Sequence, residues 1–274
     1  MSALSQAQIV AGVSQQTTWW VNQRMKKLRQ HLSSTMSVNP FILPFLFEYH
    51  SLVNFDELQD LTIASHLVTG HNTGFGKLID EKILPQVFGT IKLDKQYRAE
   101  NQPFHKACFN EVDHIIRRDD NRVELLSQKA GKWTIQLSMA VQLNRAFEEI
   151  ITNYGNIFDD IVVGVFYGKR EGLTDKYDIL RGINRGANHD VVDLTNRVFI
   201  QSGKDFWAWL NYGEESTQGW VLEGILDALK ATGISQESEL LLEEFKARVV
   251  GQYNAFIDED GTIDWQAILH HING

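Results

Sequence analysis

The sequence predicts an α/β protein whose central mixed sheet is flanked by helices. Three stretches carry that prediction. Val112 to Lys129 has two apolar arms around the polar tip Asp119-Asp120-Asn121, the pattern of a β-hairpin. Residues 161–168, IVVGVFYG, form a continuous apolar run, as in a strand buried on both faces. Between them Ile135, Met139, Leu143, Phe147 and Ile150 recur at helical spacing and predict a helix that packs on the sheet.

The other elements fall around this centre. Residues 5–34 predict a helix, and Asn39-Pro40 breaks it. Residues 55–69 predict another, with Asp56 and Glu57 in its first turn. GHNTGFGK, residues 70–77, invites a nucleotide-loop reading that fails. His71 stands where a Walker loop needs its first glycine, and Leu78 stands where it needs Ser or Thr. A glycine-rich loop is expected instead, able to approach a DNA backbone or serving only as a tight turn, and it leads into the helix LIDEKIL. Residues 90–103 are expected to be a loop. Tyr177, Ile179 and Leu180 suggest a short strand, VFIQSG closes the sheet, and DFWAWL opens a helix. Residues 218–252 are expected to be helical, interrupted at the ATGIS stop signal. DEDGTID lacks the acids a calcium loop needs at its first and last positions, so it is expected to be a turn.

This pattern divides the chain into helical ends, residues 1–65 and 213–274, around a core at 66–212. The single cysteine, Cys108, excludes an internal disulfide framework and fits a reducing cytoplasm. Together with His105 it is too little for a zinc site. MSALSQAQIV has no basic, apolar leader pattern, and no apolar run has membrane-spanning length. The net charge of −9 argues against a globally basic nucleic-acid binder but leaves room for a local basic surface.

The hairpin carries the chemistry. Folding it brings Asp113 beside Ser127 and Lys129, which share one face of the second strand. A carboxylate can hold Mg²⁺, and a lysine can orient a water and offset charge on a phosphate. On these residues alone, an ordinary hairpin with solvated charges is the simpler reading. The order Asp113…Ser127-x-Lys129 followed by a helix resembles the PD-(D/E)xK nucleases. LVTGHNTGFGKLIDEKILPQVFG, FNEVDHI, ELLSQKAGKWTIQLSMAVQLNRAF and IVVGVFYGKREGLTDKYDILRGINRGANHDV resemble the PmeII-like type II restriction endonucleases, whose relatives cut RGGNCCY.

The resemblance implies a restriction-endonuclease-like core and a Mg²⁺-dependent, site-specific DNA cleavage. It places the metal carboxylate at Asp113 and the water-activating lysine at Lys129. Gln128 is expected as a further metal ligand. Ser127 stands at the superfamily's second acidic position, so the missing acid is sought at Glu81 on the preceding helix, with Asp80 behind it, or at Glu124 if a bulge turns it inward. Lys169, Arg170, Lys176, Arg181 and Arg185 form the most basic loop region and are the expected DNA contacts; a solvated loop with local ion pairs is the plainer alternative. Symmetric cutting of a palindrome implies a homodimer built on the helical ends, including Trp19, Trp20, Trp220 and Phe245. A restriction system also implies a separate DNA methyltransferase. Competing readings are another Mg²⁺-dependent phosphohydrolase and a non-catalytic DNA-binding protein with a degenerate site at Ser127.

Overall fold

The computed structural model describes residues 1–32, 39–129, 131 and 135–273. The chain forms two compact units, one from residues 1–17 and 76–228, the other from 18–75 and 229–274. The dividing points fall within helices α1 (Gln6–Leu32), α3 (Phe55–Leu78) and α8 (Thr217–Thr232). Residues 33 and 34, the end of the expected first helix, lie outside the described residues.

The first unit is α/β. Its mixed sheet has the order β1 (Ile91–Lys92), β2 (His114–Arg117), β3 (Val123–Lys129), β4 (Asp160–Val165), β5 (Val198–Ser202). The first three strands are antiparallel neighbours, and β3–β4 and β4–β5 are parallel. The hairpin β2–β3 pairs His114 with Leu126 and Ile115 with Leu125, and Asn121 takes a positive φ of 69° in its turn. That conformation is one that Asn tolerates.

Helix α5 (Leu137–Tyr154) crosses from β3 to β4. Its buried residues Ala140, Leu143, Phe147 and Ile150 share one helical face and pack with Leu125, Ile161, Val163 and Val165 of the sheet. The segment AGKWTIQLSMAVQLNRAFEEII reads from sequence as one helix, and its residues 130 and 132–134 lie outside the described residues. Helix α7 (Lys204–Leu210) lies close to β4 at Gly164: a Cβ there would sit 2.6 Å from Phe206 and 2.7 Å from Leu126. Glycine at this strand position lets the helix approach the sheet.

Three local expectations are corrected. Residues 70–77 are not a loop; they lie within α3. A Cβ at Gly74 would meet Trp20 Nε1 at 3.3 Å, and one at Gly70 would meet Arg24 Nη2 at 2.7 Å. These glycines, one turn apart, admit α1 side chains, and that packing overrides their poor helix propensity. Residues 90–103 hold β1 and the short helix α4 (Lys95–Glu100), capped by Asp94. Tyr177 and Ile179 lie on a helical turn, α6 (Lys176–Ile179), because the Leu180 and Ile179 amides bond back to Lys176 and Asp175.

The second unit is helical. Helix α2 (Ile42–His50) buries Leu43 and Phe47 against Phe55 and Leu58, with Tyr253 of α9 (Ser235–Tyr253) and Ile268 of α10 (Trp265–Asn273). The DEDGTID segment is a turn, with Gly261 at φ 85° and an isolated bridge between Ile257 and Ile263.

Candidate active site

Parallel pairing aligns Lys129 with Val165 and Val165 with Ser202, so β3, β4 and β5 end together. The antiparallel β2 begins at that same edge. Asp113 stands just before β2, and its N–H donates to the Leu126 carbonyl at 2.8 Å. Its carboxylate accepts the Gln128 N–H at 2.6 Å. Asp113, Gln128 and Lys129 are therefore brought together. Burial pushes the Asp113 carboxyl above its usual range; the Lys129 charge and the Gln128 N–H oppose this, and the nearby Asp80 charge adds to it.

Ser127 is fully buried in β3, and its Oγ has no hydrogen-bond partner among the described residues. The Gln128 side-chain oxygen is likewise buried without one. The segment after Lys129 is pinned at Gly131: Tyr177 donates to its carbonyl at 2.9 Å, and a Cβ there would clash with the Tyr167 hydroxyl at 2.3 Å.

The acid that reaches this edge from the preceding helix is Asp80. It lies in the first turn of a π-type helix, Ile79–Val87, that contains Pro85. Buried His114 donates from Nε2 to Asp80 Oδ1 at 2.8 Å, while Thr90 Oγ1 meets His114 Nδ1 at 3.0 Å. Lys92, opposite His114 in the ladder, pairs with Asp80 Oδ2. Burial would raise the Asp80 carboxyl, but the His114 and Lys92 hydrogen bonds and charges outweigh it and hold Asp80 below its usual range. Glu81 is exposed, one position further round the helix, and it is Asp80 whose charge acts on Asp113.

Glu124 is turned elsewhere. It is buried and accepts Arg118 Nε at 2.5 Å and Trp209 Nε1 at 3.1 Å. A bulge that would release it into the site is ruled out by its regular pairing with Ile116.

Sequence reasoning missed the supports. His114 and Lys92 gave no signal beyond their nearness to Asp113 and to a strand. Arg98 lay in an expected loop, yet it donates to the carbonyls of Leu93 and Val112, both at 2.7 Å, and of Phe109. It thereby braces the chain that delivers Asp113.

The basic loop region leaves the sheet at the end of β4. Its five expected contacts do not behave alike. Arg181 points inward, donating to Val198 O at 2.8 Å and Thr195 O at 3.3 Å. Burial lowers its guanidinium pKa, and the neighbouring Arg170 charge adds to that. Arg181 thus closes the base of the loop. Arg170 and Arg185 both pair with Asp178, at 3.2 and 2.7 Å. Lys176 pairs with Asp175 at 2.5 Å, and Lys169 is exposed.

Among the described residues, no three His, Cys, Asp or Glu side chains are grouped to hold a metal ion. A hard cation at this edge would therefore rest on one or two carboxylates, as Mg²⁺ commonly does when substrate phosphate and water complete its shell. The donor set fits: Asp113 and Asp80 are carboxylates near enough to repel, and Gln128, whose N–H bonds Asp113, has a buried side-chain oxygen with no hydrogen-bond partner among the described residues. Among the described residues, no helix is long and apolar enough to cross a membrane. No known family model matches the chain, and no curated protein is significantly similar to it.

Proposed function

We propose that this chain is a Mg²⁺-dependent type II restriction endonuclease that hydrolyses double-stranded DNA at a short palindromic site of the RGGNCCY type. The carrying observation is the meeting of Asp113, braced by the Gln128 N–H, with the charge of Lys129 at one sheet edge. The strand order supports a PD-(D/E)xK core: an antiparallel β1–β2–β3, then α5 crossing to a parallel β4.

In this reading Asp113 and Gln128 hold Mg²⁺. Ser127 is no acid, and Asp80 takes the second carboxylate position. Bound Mg²⁺ supplies Lewis-acid stabilisation of charge on the phosphorus. The Lys129 ammonium orients the attacking water and offsets charge on the phosphate; as the new P–O bond forms, the bond to the leaving sugar oxygen breaks, and the water's proton passes through solvent to that oxygen. His114 and Lys92 keep Asp80 ionised and aimed. The protein acts in the cytoplasm as a homodimer, one site per strand, beside a DNA methyltransferase that protects the host's own sites. Trp19 on α1 is 45% exposed, and on α2 Phe45 and Tyr49 stack with 57% and 72% exposure, giving apolar surface for such a partner copy.

The test is incubation of the purified chain with plasmid DNA and Mg²⁺. Discrete fragments whose ends map to one site support the reading. DNA retention without cutting points to a binding protein with a degenerate site. Turnover of small phosphate esters without DNA cutting points to a different phosphohydrolase.

A further inference from the structure

We infer that Asp178 is a specificity-setting positioning residue: it locks Arg170 and Arg185 into one fixed pair that reads guanine edges, while Lys169 and Lys176 meet phosphates. The inference rests on the DNA-cleaving reading proposed above.

The geometry divides the cations of the loop into kinds. Asp178 Oδ1 accepts Arg170 Nη2 at 3.2 Å, and Oδ2 accepts Arg185 Nε at 2.8 Å. One carboxylate thus holds two guanidiniums. Asp178 is itself fixed, its carbonyl accepting the N–H groups of Arg181 and Ile183, both at 3.0 Å. Next to it, Tyr177 is tied to Gly131, two residues beyond Lys129. Asn144 of α5 anchors the loop's return by donating to Leu180 O and Val192 O at 3.1 and 2.9 Å and accepting the Val192 N–H at 2.9 Å.

A fixed frame therefore carries the pair. Arg170 and Arg185 border an open pocket of about 380 Å³, with Thr174, Asp175 and Asp178 in its wall.

Reading a base edge needs a fork held in one orientation, because a bidentate bond to guanine O6 and N7 tolerates little misplacement. A guanidinium already bonded to a carboxylate has lost much of its rotamer freedom before DNA arrives. Asp178 also cancels part of the pair's positive charge, which weakens its pull on any phosphate. A lysine is a flexible point charge, suited to phosphate and poorly suited to reading an edge. Arg181, spent on backbone carbonyls, reads nothing.

The experiment measures binding in Ca²⁺, without Mg²⁺, to a duplex carrying AGGACCT, to the same duplex with its G·C pairs exchanged, and to an unrelated duplex. Asp178→Asn keeps the shape and removes the charge. The expected result is a loss of about ten-fold or more in the ratio between the first two duplexes, with affinity for the unrelated duplex unchanged or raised. A residue that only supported the fold would weaken all three alike.

Lys169→Ala is expected to keep the ratio and lower the salt slope by about one. A ratio retained by Asp178→Asn overturns the inference and leaves the nuclease reading standing. Wild-type protein that binds all three duplexes equally, or none, overturns both. If Asp178→Asn does not fold, a cycle of Arg170→Ala and Arg185→Ala decides. Losses that overlap strongly in the double variant keep the pair as a unit; additive losses overturn it.

Discussion

Glu124→Ala separates a structural acid from a catalytic one. Glu124 is 4% exposed and Arg118 6%, and they bond at 2.5 Å. Arg118 also donates to Leu210 O and Trp209 O and lies 5.0 Å from the ring centroids of Trp209 and Tyr212. Removing Glu124 leaves a buried guanidinium unpaired, which costs about 3–5 kcal/mol. The Trp209 N–H loses its acceptor as well. In a unit of this size each kcal/mol moves the midpoint by about 2–4 °C, so the expected drop is about 6–20 °C. Thermal unfolding followed by circular dichroism reads it. If the chain is the proposed nuclease, the folded variant should keep its cleavage below the transition, because Glu124 bonds Arg118 and Trp209 rather than Asp113. Replacing both partners, Arg118→Met with Glu124→Leu, should recover part of the loss. A Tm within 2 °C of wild type, or normal stability with lost cleavage, would refute the buried-pair reasoning.

Lys129→Ala should abolish cleavage while leaving the Tm and DNA retention largely intact; near-normal cutting removes Lys129 from the mechanism. Asp113→Ala should stop cleavage and weaken Ca²⁺ binding by calorimetry, and Asp80→Ala should weaken both, while exposed Glu81→Ala leaves them near wild type. Gly182→Ala should destabilise the basic loop, since φ is 91° and the added Cβ would meet Val192 O at 1.9 Å; hydrogen exchange at residues 181–194 should rise. Sedimentation should give about twice the mass of one chain, and Phe45→Ser with Tyr49→Ser should shift it toward the monomer if α2 forms part of the interface.

The sheet and hairpin were legible because their signals are local. Val123 to Lys129 carries strand-forming residues behind an Asn turn, and 161–165 is apolar on both faces. Helix α5 was legible because its buried positions repeat at 3.6 residues. That Asp113 and Lys129 meet followed from the hairpin, since register sets which side chains meet, whereas their expected roles came from the resemblance and not from the hairpin. Asp80 was harder. Adjacent helix positions differ by 100° in direction, and only the docking of the π-type helix decides that Asp80 faces His114 while Glu81 faces solvent. Nothing local to residues 78–84 encodes that choice.

The glycine-rich stretch at 70–77 shows the opposite failure. Its composition matches a loop by every local rule, because glycine lowers helix propensity and marks turns. The absent Cβ can also serve a neighbour rather than the backbone. Gly70 and Gly74 take ordinary helical angles, and what they supply is room for Arg24 and Trp20. A four-residue glycine spacing inside an apolar-flanked segment therefore has two readings, and the partner helix decides between them. The same logic governs the basic loop. Five cations close in sequence suggest one surface, but Arg181 is consumed by the carbonyls of Thr195 and Val198, and Asp178 divides its charge between Arg170 and Arg185. A chain with a net charge of −9 gains a DNA-facing surface only where such pairings leave N–H groups directed outward. Local charge counted from sequence overstates that surface by the cations the fold uses internally.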